Sequence, residues 1–329
     1  MTRKKVALIY GGNSSEWEIS ILSGKNVAAN LDKSRYDVYE ILLRGTDWSV
    51  CDPSAEKPVP VAQVDKTDFS AVVDGRKVKF DVAFLMIHGT PGENGLLQGY
   101  FEMMGIPFTT CSSFVSALTF NKFSCKAFLR DAGVLLPKDY YIRRGAAWSE
   151  EAVIERLGLP VFVKPVDDGS SFGVTKVKRA EDLRAAVDFA FEKSDGVLIE
   201  EAISGREVTE GVFCHNGEII PLPITEIVTE NEFFDYEAKY LGKSQEICPA
   251  PIPEGMAARV REASVAIYRH FGCNGVVRMD YIADGEKVYF LEVNTVPGMT
   301  KMSLIPNQAR ADGMSVSDFI NILLDEARV

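Results

Sequence analysis

The chain has 329 residues, of which 46% are hydrophobic and 25% are charged, and its formal net charge is −11. This length predicts two or three domains, and the composition is typical of a soluble globular protein. The acidic balance argues against wholesale binding of nucleic acid or attachment to a membrane through a basic patch.

The six cysteines show no CxxC pair, and there are only three histidines. A zinc cluster is therefore not expected, and free thiols in a reducing cytoplasm are the simplest interpretation. The apolar run that precedes Gly11 has only five residues. It is too short for a signal peptide or a membrane span, so we expect a cytoplasmic location.

The N-terminal third alternates strands with a helix. "KVALIYGG" is a short apolar run stopped by glycines and predicts a buried strand, and "YDVYEILL" and "FDVAFLMIHG" predict two more. Between the first two, Ser15 and Glu18 match a capping box at the start of a helix that continues to about Leu31. This alternation predicts an α/β unit over residues 1–110, a Rossmann-like parallel sheet covered by helices.

The remainder of the chain has a different pattern. "NKFSCKAFLRDAG" predicts a helix, "LPVFVKP" a strand, residues 180–193 a helix and "GVLIEEAI" a strand, and several strands follow residue 205. We predict a central domain over 111–204 and an α+β C-terminal domain over 205–329. Residues 226–251 are long and irregular between predicted strands, which is typical of a lid loop.

The last predicted hairpin, "VVRMDYIADGEKVYFLEVN", carries polar residues at alternate positions: Arg278 with Asp280, and Glu292 with Asn294. Residues two apart on a strand share a face. A two-residue turn at Asp284-Gly285 would send Glu292 to the face opposite that of Asp280. We predict instead a three-residue loop over 285–287, which places Asp280 opposite Glu292.

Two carboxylates about 4 Å apart repel by about 4 kcal/mol at an effective dielectric constant of 20, so a positive charge is needed between them. Carboxylate and amide oxygens are hard ligands that suit Mg²⁺ rather than Zn²⁺. The alternative is a solvated hairpin face on which Arg278 neutralises both acids. The residues alone leave both interpretations open.

Three other segments carry polar groups next to predicted strand ends. In "VKPVDDGSSFGV", Lys164 precedes a Gly-Ser loop of the kind that wraps phosphate oxygens, although an ordinary turn would look the same. Lys122 opens a predicted helix. Glu16 lies where ligands bind in open α/β sheets, but a helix dipole also favours an acid there. His88, in "IHGTPGENG", either contacts a substrate or caps its strand.

These pieces together resemble the ATP-grasp ligases, and in particular the D-alanine–D-alanine ligase family. The resemblance runs over nearly the whole chain, from "GGNSSEWEIS" to "SLIPNQARADGMSVSDFI". Its most specific segments are "HGTPGENG", "VKP…DGSSFGV", "FDYEAKY" and "LEVNTVPGMT", in that order. The resemblance implies an ATP-grasp fold with an N-terminal Rossmann-like domain, and it implies ATP and two Mg²⁺ or Mn²⁺ ions as cofactors.

The resemblance also implies roles for individual residues. The metal ligands would be Asp280, Glu292 and Asn294. ATP would be bound by Lys122, Lys164, Ser170, Ser171, Glu200, Glu201, Ile203, Glu207, Lys239 and Asn294. The two D-alanines would be bound by Glu16, His88, Arg278, Gly298, Ser303 and Leu304. The catalytic residues would be Arg278 and Lys239, together with Glu16, Ser170 and Tyr240. The last three would form a hydrogen-bonded latch that closes the lid.

The implied reaction joins two D-alanines through an acyl phosphate, with release of ADP and phosphate, for peptidoglycan precursor synthesis. The implied partners are small molecules and a second copy of the chain, with neither nucleic acid nor membrane. The nearest alternative is a ligase that joins D-alanine to D-lactate or D-serine, although Tyr240 favours the dipeptide. A non-catalytic nucleotide-binding regulator on the same fold would be expected to lack one or more of the implied metal ligands. A dinucleotide dehydrogenase is weaker still, because "YGGNSS" lacks the Gly-x-Gly-x-x-Gly spacing.

Overall fold

The first sheet of the computed structural model, which describes residues 3–167, 173–229 and 244–329, has seven strands. They are β1 (Lys4–Gly11), β2 (Tyr36–Arg44), β3 (Asp47–Cys51), β4 (Pro60–Asp65), β5 (Ser70–Val73), β6 (Arg76–Lys79) and β7 (Val82–Leu85). Their order is β6-β5-β4-β3-β2-β1-β7.

The predicted parallel sheet is confirmed for three of these strands and wrong for the others. β1 pairs in parallel with β2 and β7. β2 to β6 instead form an antiparallel meander. The physical reason is the length of the connections, because a parallel crossover needs a dozen residues or more and these strands are joined by short turns.

The helices are α1 (Trp17–Asn30), α2 (Leu96–Met104), α3 (Ser113–Phe120), α4 (Lys122–Leu129), α5 (Glu150–Leu157), α6 (Leu183–Phe191), α7 (Glu254–Phe271), α8 (Leu304–Ala311) and α9 (Val316–Asp325). A single 3₁₀ turn, Ala180–Asp182, precedes α6. Among the described residues, none of the helices is both long and apolar enough to cross a membrane.

The predicted capping box at the start of α1 is wrong. Glu16 occupies the N-cap position, and no side-chain hydrogen bond caps the helix. The hydroxyl of Ser14, rather than that of Ser15, accepts from the Glu16 backbone N–H at 3.2 Å and donates to the His88 carbonyl at 2.7 Å. Ser14 therefore joins two loops, one at the carboxyl end of β1 and the other at the carboxyl end of β7.

The second sheet has the antiparallel order β10-β9-β11-β8. Its strands are β8 (Asp139–Arg143), β9 (Val161–Pro165), β10 (Thr175–Val177) and β11 (Gly196–Glu201). One face packs against α5 and α6 in a separate hydrophobic cluster. The other face carries Phe162, Lys164 and Glu200, which line a cleft.

The third sheet has the order β15-β14-β12-β16-β17, with β13 paired to β12. Its strands are β12 (Arg206–His215), β13 (Glu218–Pro221), β14 (Thr225–Thr229), β15 (Ser244–Ile247), β16 (Val277–Asp284) and β17 (Lys287–Asn294). The predicted loop over 226–251 is partly wrong, since residues at both of its ends form the paired strands β14 and β15. The reason is backbone pairing, because β14 pairs with β12 on one side and with β15 on the other, which extends the sheet into the predicted loop.

One hydrophobic core joins the two ends of the chain. Val6, Leu8 and Tyr10 of β1 belong to the same buried cluster as Phe319 and Ile320 of α9. The C-terminal helices therefore complete the core of the N-terminal sheet. The predicted domain boundaries near residues 110 and 204 remain a prediction.

Candidate active site

The β16–β17 hairpin presents its acids on one face, as predicted, but through a different turn. Asp284 pairs with Lys287 around a two-residue loop, so the predicted three-residue loop over 285–287 is wrong. A register shift then follows, with Tyr281 opposite Phe290 but Asp280 opposite Glu292. The extra residue, Leu291, forms a β-bulge that returns Glu292 to the face of Asp280.

The carboxylate of Asp280 accepts hydrogen bonds from three side chains. Arg278 donates to both of its oxygens, at 2.9 and 2.8 Å. The hydroxyl of Thr209 donates at 2.5 Å, and the amide of Asn294 at 3.2 Å. Arg278 therefore neutralises Asp280. For this acid, the arrangement is the one expected if the hairpin face is solvated and Arg278, rather than a metal ion, balances its charge.

The donor chemistry of this face nevertheless fits a hard cation. Asp280, Glu292 and Asn294 place two carboxylates and one amide on adjacent strands, and such oxygen donors suit Mg²⁺ or Mn²⁺. Within the described ranges, no group of three or more His, Cys, Asp or Glu side chains is arranged to hold a metal ion. The candidate set therefore depends on the Asn294 amide as its third ligand.

Two lysines reach the same region from the neighbouring elements. Lys122, the first residue of α4, has its ammonium 3.6 Å from Glu292. Lys164, near the end of β9, donates to Glu200 of β11 at 2.7 Å. The position of α4 is held by the Lys122 backbone N–H, which donates to the Val166 carbonyl at 2.9 Å. Both predicted phosphate lysines therefore lie at the edge of one cleft.

This cleft, of 580 Å³, lies between the second and third sheets. Its walls combine cationic, acidic and apolar groups, as is usual for a ligand site. The cleft is lined by six residues predicted for nucleotide binding, Lys122, Lys164, Glu200, Glu201, Ile203 and Glu207, and by two predicted metal ligands, Asp280 and Glu292. The cleft is long enough to pass from the acidic hairpin to the end of β11.

Glu200 lies in the wall of the cleft between two lysines. Its side chain is 2% exposed, and one oxygen accepts from Lys164 while the other is paired with Lys126 of α4. Burial, together with the nearby charge of Lys164, holds the pKa of Lys126 well below its usual value. Lys126 was not among the sequence candidates, although its i,i+4 spacing from Lys122 places both lysines on one face of α4.

At the end of β11, Glu201 already makes hydrogen bonds with the backbone of Lys138. The Glu201 carboxylate accepts from the Lys138 backbone N–H at 2.8 Å, and the Glu201 N–H donates to the Lys138 carbonyl at 3.0 Å. The Glu201 N–H is therefore occupied. Ile203 and Glu207 lie beyond this point and face the cleft.

A second group of polar residues lies where the N-terminal sheet meets the turn after β17. His88 is 5% exposed. Its Nδ1 is 2.8 Å from the Val296 carbonyl, and its Nε2 is 3.2 Å from the Ser23 hydroxyl. Burial lowers the pKa of His88, although the nearby charge of Glu16 opposes that effect. The imidazole therefore joins two parts of the chain.

Glu93 is a further residue of this region that the sequence did not indicate. Its two oxygens accept from the backbone N–H groups of Gly89, at 2.7 Å, and Val296, at 3.1 Å. Burial raises its pKa to about 7, and the charge of Glu16 acts in the same direction. Glu93 and Val296 are 203 positions apart, so no local pattern could have predicted this contact.

The turn after β17 leads directly to the last predicted substrate residues. A side chain at Gly298 would place its Cβ 2.9 Å from the Ser303 hydroxyl, so only glycine fits without displacement. That hydroxyl accepts from the Thr300 backbone N–H at 2.9 Å. Ser303 precedes α8, and Leu304 is its first residue. The turn and the helix start therefore form one compact unit.

Four predicted residues, Ser170, Ser171, Lys239 and Tyr240, lie outside the described residues. The other two histidines contact other parts of the chain. His215 is 3.2 Å from Glu326, and His270 is 3.1 Å from the Phe128 carbonyl. All six cysteines are unpaired.

Comparison with known proteins places this geometry in context. Residues 5–111 match the family model described as D-ala D-ala ligase N-terminus, and residues 128–325 match the one described as D-ala D-ala ligase C-terminus. A D-alanine–D-alanine ligase of Phocaeicola vulgatus is 46% identical over 324 residues, covering 98% of this chain and 99% of the relative.

Solved structures of related ligases superpose on nearly the whole chain. The VanG D-Ala:D-Ser ligase of Enterococcus faecalis superposes with a TM-score of 0.85 at 34% identity, covering 98% of this chain and 99% of that one. A D-alanine–D-alanine ligase of Bacillus anthracis complexed with ATP superposes with a TM-score of 0.78 at 29% identity, covering 98% and 97%. The fold and the cleft define an ATP-dependent ligase of the ATP-grasp class. Within that class, the chain belongs to the D-ala D-ala ligase family.

Proposed function

We propose that the chain joins two D-alanine molecules in an ATP-dependent reaction that releases ADP and phosphate and supplies a peptidoglycan precursor for the cell wall. The observation that carries this proposal is the convergence of Lys122, Lys164, Asp280 and Glu292 on one cleft. Lysines and hard oxygen ligands together suit a nucleoside triphosphate with its divalent ions.

The reaction proceeds in two displacements. A carboxylate oxygen of the first D-alanine attacks the γ-phosphorus of ATP, an O–P bond forms, and the bond to the β-phosphate oxygen breaks with release of ADP. The amine of the second D-alanine, after losing a proton, attacks the acyl carbon. The resulting tetrahedral intermediate expels phosphate and forms the amide bond.

The residues of the cleft align and neutralise the reacting groups. Lys122 and Lys164 bind the phosphates, while Asp280, Glu292 and the Asn294 amide oxygen would hold two Mg²⁺ or Mn²⁺ ions. A divalent ion bound there would neutralise charge on the terminal phosphates. We infer that Arg278, released from part of its bond to Asp280, stabilises the oxyanion of the tetrahedral intermediate.

The substrate end of the site is formed by the N-terminal unit and the turn after β17. Glu16 binds the ammonium group of the first D-alanine, with His88 beside it. Gly298, Ser303 and Leu304 receive the second. Lys239 contacts the γ-phosphate, and Tyr240 with Ser170 and Glu16 closes the lid, which keeps the acyl phosphate from water. Ser171 belongs to the same closing loop.

The adenosine end lies at the strand β11. Glu200 accepts from the adenine amino group, and Glu201 and Ile203 provide backbone contacts. Because the Glu201 N–H already donates to Lys138, its contribution is the carbonyl oxygen. Glu207 binds the ribose hydroxyls.

The experiment that tests the proposal is ADP release with purified protein, ATP and Mg²⁺, over a panel of D- and L-amino acids. We expect ADP and D-alanyl-D-alanine in equal amounts with D-alanine alone, and no release with L-alanine. Glu292→Gln should abolish turnover without unfolding the protein. Glu286→Gln, an exposed acid at the tip of the same hairpin, is the matched control and should retain activity. Full activity of the Glu292 variant would reject the metal assignment.

A second candidate function is supported by one comparison. The VanG structure, at 34% identity, is titled a D-Ala:D-Ser ligase, so D-serine and also D-lactate belong in the panel as second substrates. Mixed products formed in excess over D-alanyl-D-alanine would favour this alternative. Tyr240 favours the dipeptide.

We further propose a cytoplasmic homodimer whose other partners are small molecules, with neither nucleic acid nor membrane among them. Six unpaired thiols are compatible with a reducing compartment, and ATP is available there. Sedimentation at micromolar concentration tests the dimer. A sedimentation coefficient of a 36.3 kDa monomer would reject it.

A further inference from the structure

Lys126 is the most completely buried lysine near the cleft. Its side chain is 1% exposed, so it lies behind the cleft wall rather than in it. A buried ammonium group is costly unless a partner compensates for lost hydration. The partner here is the Glu200 carboxylate, which is itself 2% exposed.

The contact joins two different elements. Lys126 is on α4 and Glu200 on β11, and the antiparallel register of β11 with β9 brings Lys164 to the same carboxylate from the cleft side. One oxygen of Glu200 therefore faces the protein interior and Lys126, while the other faces Lys164 and the cleft. The carboxylate cannot rotate without breaking an ion pair on each side.

Helix α4 thus presents two lysines, one turn apart, to acids of two different elements. Lys122 lies 3.6 Å from Glu292 at the acidic hairpin, and Lys126 holds Glu200 of β11. The same helix therefore contacts both walls of the cleft. Its start is in turn held by the hydrogen bond from Lys122 to Val166.

We propose that Lys126 is a positioning residue that fixes the orientation of the Glu200 carboxylate, so that the cleft selects an adenine nucleotide over a guanine nucleotide. The inference rests on the proposed function, in which Glu200 accepts from the base. An ionised carboxylate only accepts hydrogen bonds. The adenine amino group donates to it, whereas the carbonyl of guanine at the equivalent ring position would face it as a second acceptor.

Removal of Lys126 should weaken this selection because the Glu200 carboxylate loses the contact that fixes its interior oxygen. A carboxylate that is free to rotate no longer presents one fixed acceptor to the base, so adenine loses its advantage over guanine. Lys122 and Glu292, which lie 3.6 Å apart at the acidic hairpin, are not part of this contact, so tripolyphosphate binding should change less than ADP binding.

The test measures equilibrium binding of ADP, GDP and inorganic tripolyphosphate by calorimetry in Mg²⁺ buffer. We expect K126M to weaken ADP binding at least tenfold, to narrow the preference for ADP over GDP, and to change tripolyphosphate binding less than twofold. K126Q, which keeps an N–H donor, should recover part of the ADP affinity. If K126M fails to fold, the same binding measurements are made with K126Q in its place.

A double-substitution cycle separates positioning from general damage. If Lys126 acts through Glu200, K126M combined with E200Q should bind ADP no more weakly than E200Q alone. Lys138→Met is the matched control, because Lys138 is an exposed lysine 3.7 Å from Glu201, the next residue of β11. It should leave the ratio of ADP to GDP affinity unchanged.

The outcomes distinguish this inference from the proposed function. Additive losses in the double variant, an equal loss of tripolyphosphate binding, or a K126M variant that binds ADP as the wild type does would each overturn the role of Lys126. A wild-type protein that binds ADP in preference to GDP but releases no ADP with D-alanine would overturn the proposed function and leave this inference standing.

Discussion

Single side chains of the N-terminal unit hold the turn that carries Gly298. His88 contacts the Val296 carbonyl and Glu93 the Val296 N–H. Asn26 donates to the Met299 carbonyl at 2.8 Å. These hydrogen bonds connect positions more than 200 apart in sequence. The substrate end of the site is therefore formed by polar groups that are buried only when both ends of the chain are folded.

Glu93 should make stability depend on pH. Its pKa is about 7 in the fold, against an ordinary value of 4.5. The folded state therefore binds more protons than the unfolded state between these values. The free energy of unfolding should fall as pH rises from 4.5 to 7, by about 3 kcal/mol at about 1.4 kcal/mol per pKa unit.

Glu93→Gln removes this titration, so its stability should fall less across the same pH range. Urea unfolding at pH 5 and pH 8 measures the difference. Glu210, whose pKa burial raises to about 8, is present in both proteins, so comparing them isolates Glu93. Equal pH slopes in the two proteins would contradict the assignment.

At the scale of elements, helix α8 depends on a glycine for its place on the third sheet. A Cβ at Gly211 of β12 would lie 2.5 Å from Ile305 and 2.8 Å from Gln308. The Gly211 N–H donates to Gln308 at 2.9 Å, and Gln308 donates back to the Thr209 carbonyl at 3.0 Å. The start of α8, with Ser303 and Leu304, is positioned by this close approach.

Gly211→Ala should displace α8 and with it the proposed site of the second D-alanine. We expect a loss of stability of about 1–3 kcal/mol from overpacking. The KM for D-alanine should rise several-fold, while the KM for ATP stays within twofold. Gly255→Ala is the matched control, because the nearest atom to its Cβ would be 3.9 Å away. An unchanged KM for D-alanine in Gly211→Ala would show that α8 does not position the substrate.

The elements also show where sequence reasoning succeeds. β1, β2 and β7 were predicted because a continuous apolar run is a local signal. The face shared by Asp280 and Glu292 was also predicted, but its cause was not. The bulge at Leu291 depends on how β17 packs against its neighbour, and no residue near it marks an inserted position. Lys126 could have been found from its helical spacing, whereas its pairing with Glu200 on another element could not.

At the scale of the whole molecule, the N-terminal sheet and the C-terminal helix form one core. The ring of Phe319 in α9 packs edge-on against Phe213 of β12 at 5.2 Å. The same buried cluster contains β1, and Ser317 donates to the Asn30 carbonyl at the end of α1 at 2.7 Å. We therefore expect the first strand and the last helix to unfold together, while the separate cluster around α5 and α6 opens independently.

Phe319→Ala tests this coupling. Phe319 is completely buried, and its truncation should cost about 3–5 kcal/mol. Backbone amides of β1 should then exchange with deuterium faster by a factor similar to that of α9, although more than 300 positions separate them in sequence. Amides of β9 and β11, which pack on another cluster, should keep their protection. Phe128→Ala, at a site that is 40% exposed, is the control and should change neither. Faster exchange confined to α9 would mean that the N-terminal sheet is stable without its C-terminal partner, and the shared core would then not couple the two ends of the chain.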